Sequence, residues 1–323
     1  MKIFYNLPKE TIFCESCVLT NQVPSSVSEF LHKPTREGAK YLKISRDKNG
    51  KNTCSACKVH EIKNNIDWKK REKELLKLLD KYRSKNGDYD CIVPGSGGKD
   101  SVYAAHLLKY KYGMHPLTVT WPPILYTDYG YQNFKNWIEI GGFDNISLKP
   151  NGRIQKILTK LSIENLLHPF QTFILGQKNI GARMASKFNI PLVFYGESDA
   201  EYNNPISEFS PIRDKKYWVD SNKSKFYLAG IPIKKLMNKY DISFSDLQNY
   251  LPLDNKEIGK TKIRYSYLGY YIKWTPQEAY YYSVENTNFK ARPFRSEGTY
   301  SKYNSIDDKI DDLHYYTSYI KFG

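Results

Sequence analysis

Cysteine is scarce in this chain: five in 323 residues, and none after Cys91. That argues against a disulfide scaffold and leaves the distal two thirds without a thiol for nucleophilic or redox work. Methionine is scarcer still, with four. No run approaches the roughly 18 uncharged apolar residues of a membrane span, which speaks against a membrane protein. The start, MKIFYNLPKETIFC, sets Pro8, Lys9 and Glu10 where a signal peptide carries its apolar stretch, so a cytoplasmic location is expected. Acids are outnumbered: 34 Asp+Glu against 49 Lys+Arg, a formal charge of +15. Such a surplus can mark a nucleic-acid or phosphate surface, but the lysines are spread along the whole chain. It is read here mainly as bulk composition, beside 28 tyrosines of equally ambiguous meaning. With 40% apolar residues the chain is neither disordered nor collagen-like, and it is long enough for one large domain or two smaller ones.

Four of the five cysteines form two C-x2-C knuckles, Cys14–Cys17 and Cys54–Cys57. Two knuckles present four thiolates to one point, the tetrahedral sulfur set of structural zinc; an iron–sulfur cluster could use the same set. With every coordination place taken by protein, such a metal supports folding and leaves no position for a catalytic water. Residues 18–53 between the knuckles fit a small ribbon: VPSSVSEF, a turn at Gly38, a strand YLKI, then Asp47-Lys48-Asn49-Gly50 as a hairpin turn. Residues 1–60 are thus read as a zinc-ribbon-like unit. Residues 61–87 follow as an amphipathic linking helix with Trp68, Leu75, Leu76, Leu78, Leu79 and Tyr82 on its apolar face.

The densest signal is residues 89–112. YDCIVP is a short strand, GSGGKDS a glycine-rich loop, and VYAAHLLKYKY a helix ending at Gly113. Strand, glycine loop and helix start together make an anion cradle, because glycines admit close approach and the first helical amides point outward. The loop is not a Walker P-loop, since Asp100 follows Lys99 where Ser or Thr belongs, and it does not match G-x-G-x-x-G. Further strands are read at 115–121, 145–148 and 191–195, with helices at 133–140 and 173–188. That alternation predicts an α/β fold, a doubly wound, mostly parallel sheet over 88–260, with ligands at the C-terminal strand ends. The rule gathers Ser96, Gly97, Gly98, Lys99, Asp100, Ser101, Thr120 and Gly196 along one edge as nucleotide-binding candidates. Asp100, Glu197 and Asp199 are candidate Mg2+ ligands, and Lys99, Asp100 and Glu197 candidate catalytic groups. Gln177, Arg183, Lys262, Arg264 and Arg295 are weaker candidates for substrate contacts, with a solvated surface as the competing reading.

The segment Ser96-Gly97-Gly98-Lys99-Asp100-Ser101 resembles the S-G-G-x-D-S signature of the PP-loop ATP pyrophosphatases, which split ATP between the α and β phosphates. The two knuckles, GMHPLTVTW, GGFDN, NIPLVFYGES and the tail FRSEGTYSKYNSIDDKIDDLHYYTSYIKFG, in this order, resemble the N-acetyl sugar amidotransferases of pseudaminic acid (flagellin glycosylation) and O-antigen synthesis. The resemblance implies an ATP- and Mg2+-dependent, AMP-forming enzyme that converts the acetamido group of a bacterial sugar to an acetamidino group. It also implies that the tyrosine-rich extension, 261–323, is cut short relative to the family. No built-in glutaminase is present, so ammonia is expected from a separate glutaminase, of the imidazole glycerol phosphate synthase type. The alternatives are a PP-loop tRNA-modifying enzyme and a non-enzymatic zinc-ribbon binding protein; nucleic acid is the less favoured partner.

Overall fold

The computed structural model describes residues 8–23, 41–197, 210–215, 218–259 and 261–322. Its front unit is small. Strands β1 (Ile44–Arg46) and β2 (Asn52–Cys54) pair antiparallel across the expected turn. There the Asp47 carboxylate accepts from the amides of Asn49 and Lys51, and Gly50 sits at φ 79°. VPSSVSEF beyond Val23 and the Gly38 turn lie outside the described residues, and β1 begins at Ile44 rather than at the start of YLKI. The linking segment is two helices. The second knuckle opens α1 (Ser55–Asn64), and Asp67 caps α2 (Trp68–Tyr82) by accepting from the Lys70 amide. α1 ends at its Asn65 cap and Asp67 starts α2, which breaks the single helix expected over 61–87.

The body follows as β3 (Cys91–Pro94), α3 (Lys99–His106, continued by a π-turn), β4 (Pro116–Thr120), α4 (Asp128–Glu139), β5 (Asn145–Ser147), α5 (Gly152–Leu166), α6 (Gln171–Phe188) and β6 (Leu192–Tyr195). A small hairpin, β7 (Tyr227–Leu228) and β8 (Ile231–Pro232), leads to α7 (Ile233–Tyr240), α8 (Phe244–Leu247) and α9 (Asn255–Ile258). Then come β9 (Arg264–Tyr267), α10 (Pro276–Thr287) and α11 (Asp311–Phe322). The main sheet has the order β5-β4-β3-β6-β9, and every pairing in it is parallel. Its fifth strand, β9, lies in the stretch read from the sequence as a C-terminal extension.

Side chains alternate across the sheet. Cys91, Val93, Leu192 and Phe194 pack against α2, α3 and Trp274, while Ile92, Val193, Leu117 and Val119 pack against α5 and α6. Both faces are therefore covered, which is why these strands read as continuous apolar runs. The chain lays down β3, β4 and β5 in one direction, then crosses back to place β6 on the other side of β3. The reversal opens a crevice beyond the C-terminal ends of β3 and β6, the place where open α/β sheets take ligands.

Candidate nucleotide site and cysteine centre

β3 ends in the glycine loop. Gly97 has φ 88°, a left-handed value, and a Cβ there would stand 2.6 Å from the Phe134 backbone. A Cβ on Gly95 would stand 2.2 Å from that of Ser101. At Gly98, by contrast, an added Cβ meets only Ser96 Oγ, at 3.9 Å. Gly95 and Gly97 thus let the loop fold back on the protein, and Gly98 leaves open the side from which an anion would approach. Gly98 is the N-cap of α3, so the amides of Lys99, Asp100 and Ser101 have no intrahelical acceptor. The Ser101 hydroxyl donates to the Gly98 carbonyl at 2.9 Å and locks the turn. Lys99 is buried and ion-paired with Asp100.

The loop opens into a cavity of about 480 Å3. Ser96, Gly97, Gly98, Lys99, Asp100, Ser101, Gln177, Gly196 and Glu197 all line it. The structure brings these predicted residues together, although they come from three separate stretches of chain. Others fall elsewhere. Thr120 is fully buried in β4, where its hydroxyl accepts from Asn145 at 2.9 Å; its neighbour Trp121 lines the cavity instead. Arg183 is a structural cation: it pairs with Glu257 at 2.9 Å and donates to the carbonyls of Gln248 and Leu251. Arg264 opens β9 and is held by Ser266 and Tyr271, while Lys262 and Arg295 are exposed, and none of the three lines the cavity. The strand direction explains Lys262 and Arg264: one precedes β9 and the other is its first residue, at the end of the sheet opposite the loop. Asp199 lies outside the described residues.

Sequence reasoning missed the far wall. Residues 303–311 run across the cavity as a strap, and α11 carries His314 and Tyr315 into the lining. Ser96 Oγ donates to Asp307 Oδ2 at 2.7 Å. Asp308 accepts from the amides of Ile124, Leu125 and Ile310, which fastens the strap to the segment before α4. Tyr303 stacks on Tyr280 at 4.4 Å, and its ring centre lies 5.6 Å from Lys99 Nζ. Burial raises the carboxyls: Asp308 to about 6, and Asp311, beside Asp307 and Asp308, to about 8. Burial lowers His314 to about 4, so its ring is neutral at pH 7. The signal that could have found this wall was the acid-rich NSIDDKIDD run, which entered the sequence reading only as part of the tail that carries the resemblance.

The four knuckle cysteines converge. Their sulfurs lie within 4.8 Å of one another, with Cys14 and Cys57 at 3.9 Å and Cys17 and Cys54 at 3.7 Å. Thiolates around one zinc at 2.3 Å stand about 3.8 Å apart, so the donor set fits a tetrahedral ion. Burial opposes charge on Cys14, yet backbone amides led by that of Cys54 hold its thiol down at about 6. The fifth cysteine, Cys91, is buried in β3, with its thiol pushed far up by desolvation.

No family model matches the chain. An uncharacterized protein of Methanocaldococcus jannaschii is 40% identical over 70 residues, covering 22% of this chain. The match spans only a quarter (25%) of that relative's length. Among solved structures, NMN synthetase from Francisella tularensis aligns over 80% of this chain and 97% of its own, at 14% identity and a TM-score of 0.28. At that score the likeness carries no weight. The fold and site define the class: an α/β protein with a parallel five-stranded sheet, a glycine loop at its switch point and a four-cysteine cluster suited to zinc. Among the described residues no helix is long and apolar enough to cross a membrane.

Proposed function

We propose that the protein is an ATP-dependent, AMP-forming amidotransferase of the PP-loop type that converts an acetamido group of a bacterial sugar into an acetamidino group. One observation carries the reading: a single cavity joins the S-G-G-x-D-S loop to a wall of aromatic rings and carboxylates. Trp121, Phe170, Phe173 and Tyr315 offer flat apolar faces of the kind that stack on sugar rings. Asp307, Asp311 and Asn304 offer acceptors for hydroxyl groups. No cysteine lines the cavity among the described residues, which favours direct nitrogen transfer over sulfur relay.

An amide carbon resists ammonia because its oxygen leaves poorly. In the proposed reaction the amide oxygen attacks the α-phosphorus of ATP, and pyrophosphate departs with the bonding pair. Ammonia then adds to the activated carbon and loses a proton, and AMP leaves with the former amide oxygen. The loop amides and Lys99 would hold the polyphosphate and stabilise the charge on the leaving pyrophosphate. Asp100 and Glu197 would hold Mg2+, which supplies further neutralisation of the phosphates. The ammonia comes from a separate glutaminase in this scheme. The four cysteines hold zinc for structure alone.

Incubation with ATP, ammonium and acetamido sugars tests the proposal. AMP, pyrophosphate and a sugar product lighter by the difference between O and NH are expected. Release of ADP would contradict the reading. Adenylylation of tRNA with no reaction of any acetamido sugar would assign the protein to the tRNA-modifying branch.

A further inference from the structure

The Ser96 hydroxyl, the first side chain of the glycine loop, is engaged by a carboxylate of the protein itself. Its partner, Asp307 Oδ2 at 2.7 Å, lies 211 residues further along the chain. Burial raises the Asp307 carboxyl above its ordinary value and the Ser96 hydroxyl opposes that rise; ionised, the group is an anion with two oxygens standing in the mouth of the glycine loop, where a phosphate would otherwise sit. The strap that carries it is fastened on both sides of the contact. Asp308 binds the amides of Ile124 and Leu125, the Lys309 amide donates to the Leu125 carbonyl at 2.8 Å, and the Asp307 carbonyl accepts from the Thr127 amide at 3.1 Å. The fit against α4 is close: a Cβ on Gly130 would stand 2.4 Å from Asp307 Cα. Two residues before the contact, Ser305 takes φ 48°, a left-handed conformation that a non-glycine residue holds only under tertiary constraint. The same strap sets Tyr303 against Lys99.

We infer that Asp307 is an internal stand-in for phosphate, and that the 303–311 strap is an autoinhibitory latch which a nucleotide must displace from Ser96 in order to bind. The inference concerns regulation of the same site and rests on reading the loop as a polyphosphate cradle. A phosphate oxygen cannot take the Ser96 hydroxyl while the carboxylate holds it. Two anions at hydrogen-bond distance from one hydroxyl repel each other strongly where water is scarce. The strained Ser305 gives the strap a place to turn when the contact opens.

The test is binding of α,β-methylene-ATP, which cannot be cleaved at the α–β position, in magnesium-free buffer. Asp307→Asn keeps an acceptor for Ser96 and removes the charge; it should bind five- to tenfold more tightly than the wild type. Gly130→Ala leaves the carboxylate in place and pushes the strap outward, and it should also bind more tightly. In the wild type, nucleotide should speed hydrogen exchange at the Thr127 and Lys309 amides, which report strap contacts. Equal or weaker binding by Asp307→Asn, or slower exchange at those amides, overturns the latch. If neither the wild type nor either variant binds the nucleotide, the loop is not a polyphosphate site, and the proposed function falls with the latch.

Discussion

The cysteine cluster and the cavity are opposites in construction. The centre gathers four donors of one kind from two short knuckles, and among the described residues its buried apolar core is Cys14, Leu42 and Cys54, with Leu19, Val23 and Ile44 partly buried against it. Its four sulfurs lie within 4.8 Å of one another. The cavity draws on the ends of β3, β4 and β6, on α6 and on the distant strap, and its lining mixes amides, cations, acids and aromatic rings. A closed, uniform donor set fits a structural ion, whereas an open, mixed lining fits chemistry on a bound molecule.

Cys54→Ser is the most severe way to break this comparison. Few apolar residues are buried in the described part of the front unit, so if zinc holds it together residues 41–64 should lose their protection from exchange and the zinc content should fall to zero. Nucleotide binding in the cavity should persist. Retained zinc in that variant would remove the cysteine centre from the account.

Gly97→Val is the reciprocal test. It forces a branched side chain onto a left-handed residue against the Phe134 backbone. Binding of α,β-methylene-ATP should drop by about 100-fold or more, equivalent to roughly 2.7 kcal/mol, with zinc content unchanged. Unaltered binding would place the nucleotide elsewhere.

Arg183→Met sharpens the line between framework and site. It removes the shorter of two cation contacts on Glu257, leaving Lys223 at 3.7 Å, and takes the guanidinium donor from the Gln248 and Leu251 carbonyls, so stability to urea should fall by about 2 kcal/mol. The affinity for nucleotide should stay within about twofold of the wild type, under 0.5 kcal/mol. Loss of affinity without loss of stability would return Arg183 to the site.

The smallest effect is the pH dependence of the strap. Asp308 and Asp311 have raised carboxyls, to about 6 and about 8, so the folded protein holds protons there that the unfolded chain releases. Their contribution to stability is full below about pH 4 and is lost as pH climbs through about 6 and then about 8. Asp307 and Asp312, the neighbouring acids, reinforce the effect on Asp311. Asp311→Asn should flatten this part of the thermal-melt profile between about pH 5 and about pH 8.5. A slope unchanged in that variant would remove Asp311 from the titration.

Reading along the chain was enough wherever a local rule decides the outcome. The two knuckles, the Asp47–Gly50 turn, the strand–glycine loop–helix unit and the parallel alternation are short-range patterns, because turn chemistry, donor spacing and apolar periodicity act over a few residues. Only the tertiary structure decided which charged residues line the cavity. Arg183, Lys262, Arg264 and Arg295 looked alike on paper. The crossover from β5 to β6 and the direction of β9 turned them toward Glu257, Ser266 or solvent, away from the cavity. The same folding carried Asp307 across 211 residues to Ser96. Contacts of that range depend on how layers pack around the sheet, and sequence spacing does not record them.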